Sequence, residues 1–381
     1  MRKKAGIIYL LILAIVIVIN IVAWSSTMFC DFYIKYIFPI WVNTYGRLTG
    51  VFPFSVGEIL LGLGVLCVFA FAVLIIMYFM LVVCRFLCGK RYTANRFTSS
   101  LWEFSRGYFC WFAWVVLIVC VIMTLNCTIL YHASTFSEQY YGEEDGDYSL
   151  EDLIKVRNLV VERCNALSQE LQRDENGDIV YRGDMKKEAI LAMKNLGKQY
   201  EQLDGYYPKP KPLTSSDFFS QQYIAGYYFP FSMEANYNDV MYIMNYPSTI
   251  CHELAHLRGY IYEDEANFIS YLACIQSQDK VFQYSGYLSV LFYLDNDLFD
   301  AVSVEDYFAQ PPILEQVYED NIFLKQEVWD QINEDAVIDT ETVDEISDAF
   351  TDTVLKANGV EDGMISYSRV VELLLWYYSL Q

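Results

Sequence analysis

Three long apolar runs dictate the architecture, because each is too long and too free of charge to sit comfortably in a small water-soluble fold. Residues 5–24 form the first, 58–83 the second and 108–130 the third. Twenty helical residues rise roughly 30 Å, the thickness of a bilayer's hydrocarbon core. The second run carries no charge after Glu58, and the third carries none. Glu58 stands at the expected membrane boundary, where a carboxylate suits a helix start. Arg2, Lys3 and Lys4 precede the first run, which has no small-x-small cleavage signal after it and is expected to remain as an anchor. Arg85, Lys90, Arg91, Arg96 and Arg106 make the loop between the second and third runs basic, whereas residues 25–57 offer only Lys35 and Arg47. The positive-inside rule then puts the N-terminus and the basic loop in the cytoplasm, and residues 131–381 outside the cell membrane. Two domains are expected: a membrane domain over 1–130 and an extracytoplasmic domain over 131–381.

The outer part has the opposite composition. Only three of the 48 Asp and Glu precede residue 131, against ten of the 26 Lys and Arg, which leaves 131–381 with a formal charge of −29. Such a surface repels nucleic acid and anionic headgroups, so no nucleic-acid partner is expected. Seven of the ten cysteines lie in or beside the apolar runs, where cysteine is a small hydrophobe; Cys164, Cys251 and Cys274 are too few for a disulfide framework.

Within 131–381, helical periodicity and capping signals mark segments near 150–173, 184–204, 248–258, 263–279, 285–297, 311–333, 340–357 and 364–379. Pro208, Pro210 and Pro212 make a stiff connector. Residues 226–246 read as short, Tyr- and Phe-rich strands. Asp174, Asn176 and Asp178 have calcium-loop spacing, but Ile179 occupies the place of the required glycine and Met185 that of the closing glutamate.

Cys251-His252-Glu253-Leu254-Ala255-His256 contains the pattern HExxH. Residues four apart share a helix face, so both imidazoles reach one ion, while Glu253 lies beside it as a general base. Neutral imidazole suits Zn2+, and a catalytic zinc site takes three protein ligands and keeps one position open. Gly259 can end the motif helix and let the chain turn back. No histidine follows His256, so the third ligand is expected to be a carboxylate, with Glu263, Asp264 and Glu265 as the nearest choices, or to come from elsewhere.

Several segments together resemble an uncharacterised family of bacterial three-pass membrane proteins, known only as a domain of unknown function and similar to zincin-type peptidases. They are Tyr228-Phe229-Pro230-Phe231, Glu234-Ala235-Asn236, the HExxH stretch through Arg258-Gly259, and Glu263-Asp264-Glu265-Ala266-Asn267-Phe268. Phe52 to Glu58 and Ser366 to Val371 extend the likeness over nearly the whole chain. Leu257 departs from the glutamine expected there. The Glu265-Ala266-Asn267 piece is similar to the Glu-Ala-Asp ligand segment of membrane-bound gluzincins. That resemblance implies Glu265 as third ligand, and a helix starting near Tyr262 would place it in the first turn facing the motif. It also implies an edge strand around Glu234–Asn238 that receives substrate backbone. Asn267 replaces the aspartate of those enzymes.

The expected fold is thus a mainly α membrane protein: three transmembrane helices followed by a zincin-like α+β extracytoplasmic domain with a small sheet. The expected function is a zinc-dependent metallopeptidase, with His252, His256 and Glu265 as ligands and Glu253 as base. Tyr284, Tyr287 and Arg369 are candidate oxyanion donors. The partners are a peptide or protein substrate and the lipid bilayer, with no specific protein partner indicated. The alternative is an extracytoplasmic zinc-binding sensor or peptide-binding protein without catalysis.

Overall fold

A computed structural model describes residues 3–89, 96–142, 148–360, 363 and 369–380. Lys90, Arg91 and the first half of the Ser366–Val371 stretch, residues 366–368, lie outside the described residues.

Among the described residues three helices are long and apolar enough to cross a membrane: Lys4–Ser25, Val56–Leu87 and Arg96–His132. Their apolar side chains point outward, as with Leu66 at 64% exposure and Phe69 at 68%. A soluble helix would bury that surface; a spanning one leaves it to lipid. Ser55 caps the second helix by accepting from the Glu58 N–H. The third widens into a π-helical turn at Thr124–Thr128, where Thr124 Oγ1 accepts from Asn20 of the first helix at 2.8 Å.

The remaining chain is mainly helical, with one small sheet. Strand β1 (Lys211–Leu213) pairs parallel with β3 (Glu234–Asn238), and β2 (Gly226–Phe229) pairs antiparallel with its other side, giving the order β1-β3-β2. The expected edge strand at Glu234–Asn238 is therefore corrected. All five residues of β3 are buried, because the proline-rich connector supplies β1 on one side. The edge facing away from β1 belongs to β2.

The expected helix at 311–333 is two helices, Glu315–Asp320 and Gln326–Asp335. The break follows from Asp320, a buried carboxylate that Arg173, Tyr284 and Tyr242 all reach. Asp174 accepts from the N–H groups of Asn176 and Asp178, and Asp178 pairs with Lys325, so the calcium-like loop satisfies its own polar groups.

The hydrophobic core crosses the boundary between residues 130 and 131. Cys30, Tyr33, Ile34, Phe38 and Val42, from the stretch between the first two long helices, share one buried cluster with Leu254, Leu257, Phe268 and Leu291. The β2–β3 turn docks on the third long helix and on the short helical segment ahead of the second. Asn126 Nδ2 donates to Pro230 O at 2.9 Å, and Thr49 Oγ1 donates to Ser232 O at 2.8 Å. The buried Glu234 carboxylate accepts from the N–H groups of Val56 and Gly57 and pairs with Lys211. Glu58 accepts from the N–H groups of Thr214 and Ser215, both at 2.8 Å, so this boundary acid fastens the loop after β1. Two carboxylates thereby fix the sheet to the start of one long helix.

Candidate metal centre

The motif lies on the helix Asn245–His256, whose inward face carries Ile250, Leu254 and Ala255 into the core. The helix must stop directly after His256. Gly259 has φ +95°, and a Cβ there would lie 2.7 Å from Ile34 Cγ2, so backbone conformation and space both require glycine. Arg258 anchors the exit by donating to the carbonyls of Gln202 and Asp204. The chain reverses, and the helix Glu263–Ile275 packs back across the motif helix.

Three ligand-type atoms converge between these helices. His252 Nε2 and His256 Nε2 are 3.0 Å apart. Glu263 Oε2 is 2.9 Å from the first and 3.8 Å from the second. Donors about 2.0–2.1 Å from a tetrahedral ion stand roughly 3.3 Å apart, so these separations bracket what one zinc ion requires. The outer ring nitrogens are held as a metal site needs: His256 Nδ1 lies 2.7 Å from Tyr260 O, and His252 Nδ1 lies 2.8 Å from Asn267 Oδ1. Each contact makes Nδ1 the donor and turns Nε2 inward. The third histidine, His132, stacks on Trp24 instead.

Glu253 sits beside this group, 4% exposed, with Oε2 lacking any hydrogen-bond partner among the described residues. Burial, opposed by His252 and reinforced by Glu263, pushes its carboxyl up to about 8. Burial pulls His252 down, but its hydrogen bond to Glu263 and the neighbouring carboxylates overcome that and bring it to about 9. Burial dominates at His256 and takes it down to about 4. Without a cation, a proton holds His252 to the half-buried Glu263; a divalent ion between the same donors would take the place of that proton.

The carboxylate that meets the two imidazoles is Glu263; Glu265, expected as the third ligand, does not join this group. Its buried carboxylate accepts from Ser137 N at 3.2 Å and Ser137 Oγ at 2.5 Å, tying down the short helix Phe136–Tyr140. Residues two apart project from different helix faces. Asn267 fixes which face meets the motif, and Glu263 lies four residues before it, on that same face. The spacing of Glu263 and Asn267 thus mirrors that of His252 and His256, a signal available in the sequence. Asp264 faces Arg369, 3.2 Å away.

The expected oxyanion donors are also placed elsewhere. Tyr284 donates to Asp320, Tyr287 packs on Tyr271, and Arg369 pairs with Asp264. The sheet supplies a closer phenol. Tyr227 on β2, 42% exposed as a whole residue, is raised above its ordinary pKa, first by desolvation and then by Cys127 and the Glu253 and Glu263 carboxylates. Its neighbour Gly226 lies against the motif helix, where a Cβ would come within 2.5 Å of Glu253 Oε1 and 2.8 Å of Thr249 Cγ2. Glycine is therefore needed for β2 to pass this close.

A family described as "Protein of unknown function (DUF3810)" matches residues 33–375. The chain belongs to the DUF3810 family. The match takes in the second and third long helices, all three strands, the HExxH helix and the Glu263–Ile275 helix, so the metal-type cluster lies well inside the DUF3810 region. Comparison with curated proteins and with solved structures returns no match.

Proposed function

We propose that this DUF3810 protein is a membrane-anchored zinc metallopeptidase with a zincin-like outer domain, working on peptide bonds outside the cytoplasmic membrane. The observation that carries the reading is the meeting of His252 Nε2, His256 Nε2 and Glu263 Oε2 beside a buried carboxylate with a free oxygen. A structural site has no use for that fourth group, whereas hydrolysis needs a base there. The outward orientation rests on the basic 85–106 loop, and on the shared core of 26–55 and 131–381, which puts both on one side of the membrane.

His252, His256 and Glu263 would hold the zinc. When bound, zinc supplies a Lewis acid that makes water a competent nucleophile near neutral pH and polarises the scissile carbonyl. Glu253 then takes a proton from the attacking water and delivers it to the departing amine. Tyr227, the phenol on β2 that feels the Glu253 and Glu263 carboxylates, would donate to the carbonyl oxygen as charge develops on it. Strand β2, which pairs with no strand besides β3 among the described residues, would offer extended substrate an edge to pair with. Gly226 keeps that edge within reach of Glu253.

The test uses the full chain in lipid nanodiscs, with metal analysis and a peptide library, comparing the native protein with Glu253→Gln. The expected result is zinc in both and cleavage in the native protein alone. Cleavage retained by a contaminant-free Glu253→Gln preparation, or zinc absent from both, defeats the reading. Bound zinc without any turnover favours the sensor alternative.

A further inference from the structure

We propose that the segment Thr27–Phe54 lies flat in the membrane interface, with lipid as the occupant of its outer face. The chain enters it from one long apolar helix ending at Ser25 and leaves it into another beginning at Val56. Both ends are therefore fixed at the same surface of the bilayer. The consecutive helical segments Thr27–Tyr36, Phe38–Trp41, Val42–Gly46 and Arg47–Thr49 reach about 36 Å at most, and a chain of them tied to one plane at both ends runs along it. One side is covered by protein, since Cys30, Tyr33, Ile34, Phe38 and Val42 are in the common core.

The other side is apolar yet open. Met28 is 82% exposed and Val51 78%, and Phe32, Ile40, Trp41 and Leu48 are exposed with them. A water-facing surface would place its charges there. This segment has only three, and each is engaged by the outer domain. Asp31 accepts from Ser134, Lys35 pairs with Glu201, and the Arg47 guanidinium lies 3.7 Å above the Tyr206 ring. Charge turned toward protein and aliphatic and aromatic groups turned away is the pattern of a helix lying in the headgroup and acyl boundary.

The consequence for the metal centre is its height above the membrane. Ile34 packs beneath Gly259, three residues past His256, so one helix thickness, on the order of 10 Å, separates the motif from the lipid. This second step rests on the metallopeptidase reading: the substrate is then a polypeptide tethered at the bilayer, cut close to its anchor.

The test places a diazirine amino acid at Ile40, Leu48, Leu66 or Val337 of the full chain in phosphatidylethanolamine–phosphatidylglycerol vesicles, with adducts read by mass spectrometry. Leu66 reports a long apolar helix, and Val337, 99% exposed on the outer domain, reports water. Lipid adducts at Ile40 and Leu48 approaching the yield at Leu66, with none at Val337, are expected. Adducts at Leu66 with none at Ile40 and Leu48 overturn the proposal, as do crosslinks there to a second copy of the chain. The same vesicles, given one target peptide either free or anchored by a single apolar helix, should show faster cleavage of the anchored form. Equal rates overturn the tethered-substrate step alone. Absence of all cleavage counts against the peptidase reading and leaves the lipid adducts to judge the placement.

Discussion

At the scale of single residues, Glu263 and Glu265 separate two roles that the sequence leaves side by side. Asn267→Ala removes the partner of His252 Nδ1, and loss of such an outer hydrogen bond typically weakens metal binding by ~10–100-fold. Glu263→Ala removes a ligand-type oxygen itself, so zinc affinity should fall by more than that. Glu265→Ala should keep zinc but unsatisfy the buried Ser137 N–H, at a cost of about 1–3 kcal/mol. Titration with a zinc-competing chelator, alongside thermal unfolding, distinguishes the two; a Glu265→Ala protein without zinc would restore Glu265 as the ligand. The protonation states give a pH dependence. His252, lifted to about 9, and Glu253, lifted to about 8, hold protons more tightly folded than unfolded. Their contributions to metal-free stability are present below the ordinary values near 6.5 and 4.5 and are lost as pH rises through about 9 and 8. His256, lowered to about 4, acts oppositely but only below about 6.5. Metal-free stability should therefore decline from pH 6.5 to 9. Zinc, which binds neutral imidazole, should raise the melting temperature more at pH 8.5 than at 6.5. A zinc-induced increase that shrinks over that range would contradict this assignment of protons.

At the scale of elements, the close pass of β2 and the fastening of the sheet to the second long helix can be probed separately. Gly226→Ala would push its new Cβ into Glu253 Oε1 and Thr249, displacing the base or the strand. Cleavage should drop steeply while zinc content holds; an unaffected rate would show that β2 does not constrain Glu253. Glu234→Ala strands the Lys211 ammonium, itself 4% exposed, and uncaps Val56 and Gly57. Removing one partner of such a pair typically costs about 3–5 kcal/mol, which thermal unfolding of the variant would register. The long helices and the HExxH helix are readable in the sequence because apolar length and a four-residue repeat are local properties. The strand order is not, since β1 is three residues of a proline-rich connector that becomes a strand only by pairing with β3. Glu263 is legible in its spacing to Asn267, but choosing the inward helix face requires knowing which residue Asn267 meets. Tyr227 cannot be singled out among 32 tyrosines, because its position depends on β2 lying against the motif helix.

At the scale of the whole molecule, the shared core predicts that residues 131–381 do not stand alone. Five buried apolar side chains of residues 30–42 complete its core, each worth about 1.5–3 kcal/mol on burial. Their sum is comparable to the roughly 5–15 kcal/mol that holds a typical domain together. A fragment beginning at residue 131 should be aggregated or lack a cooperative melt, and adding residues 26–55 back in one chain should rescue it. A well-folded, monomeric 131–381 fragment would show that the core closes without them.

That shared core also sets an order of events during synthesis. Residues 26–55 are made and pass the first long helix well before the helices that cover them exist, since Leu254, Phe268 and Leu291 follow far later in the chain. In the meantime their inward face is as bare as their outward one. The bilayer beside them is the nearest apolar refuge, and the finished domain must later claim one face and leave the other behind. Maturation of this protein is thus a docking step onto a piece already waiting at the membrane, and delays in that step expose an early segment rather than a late one.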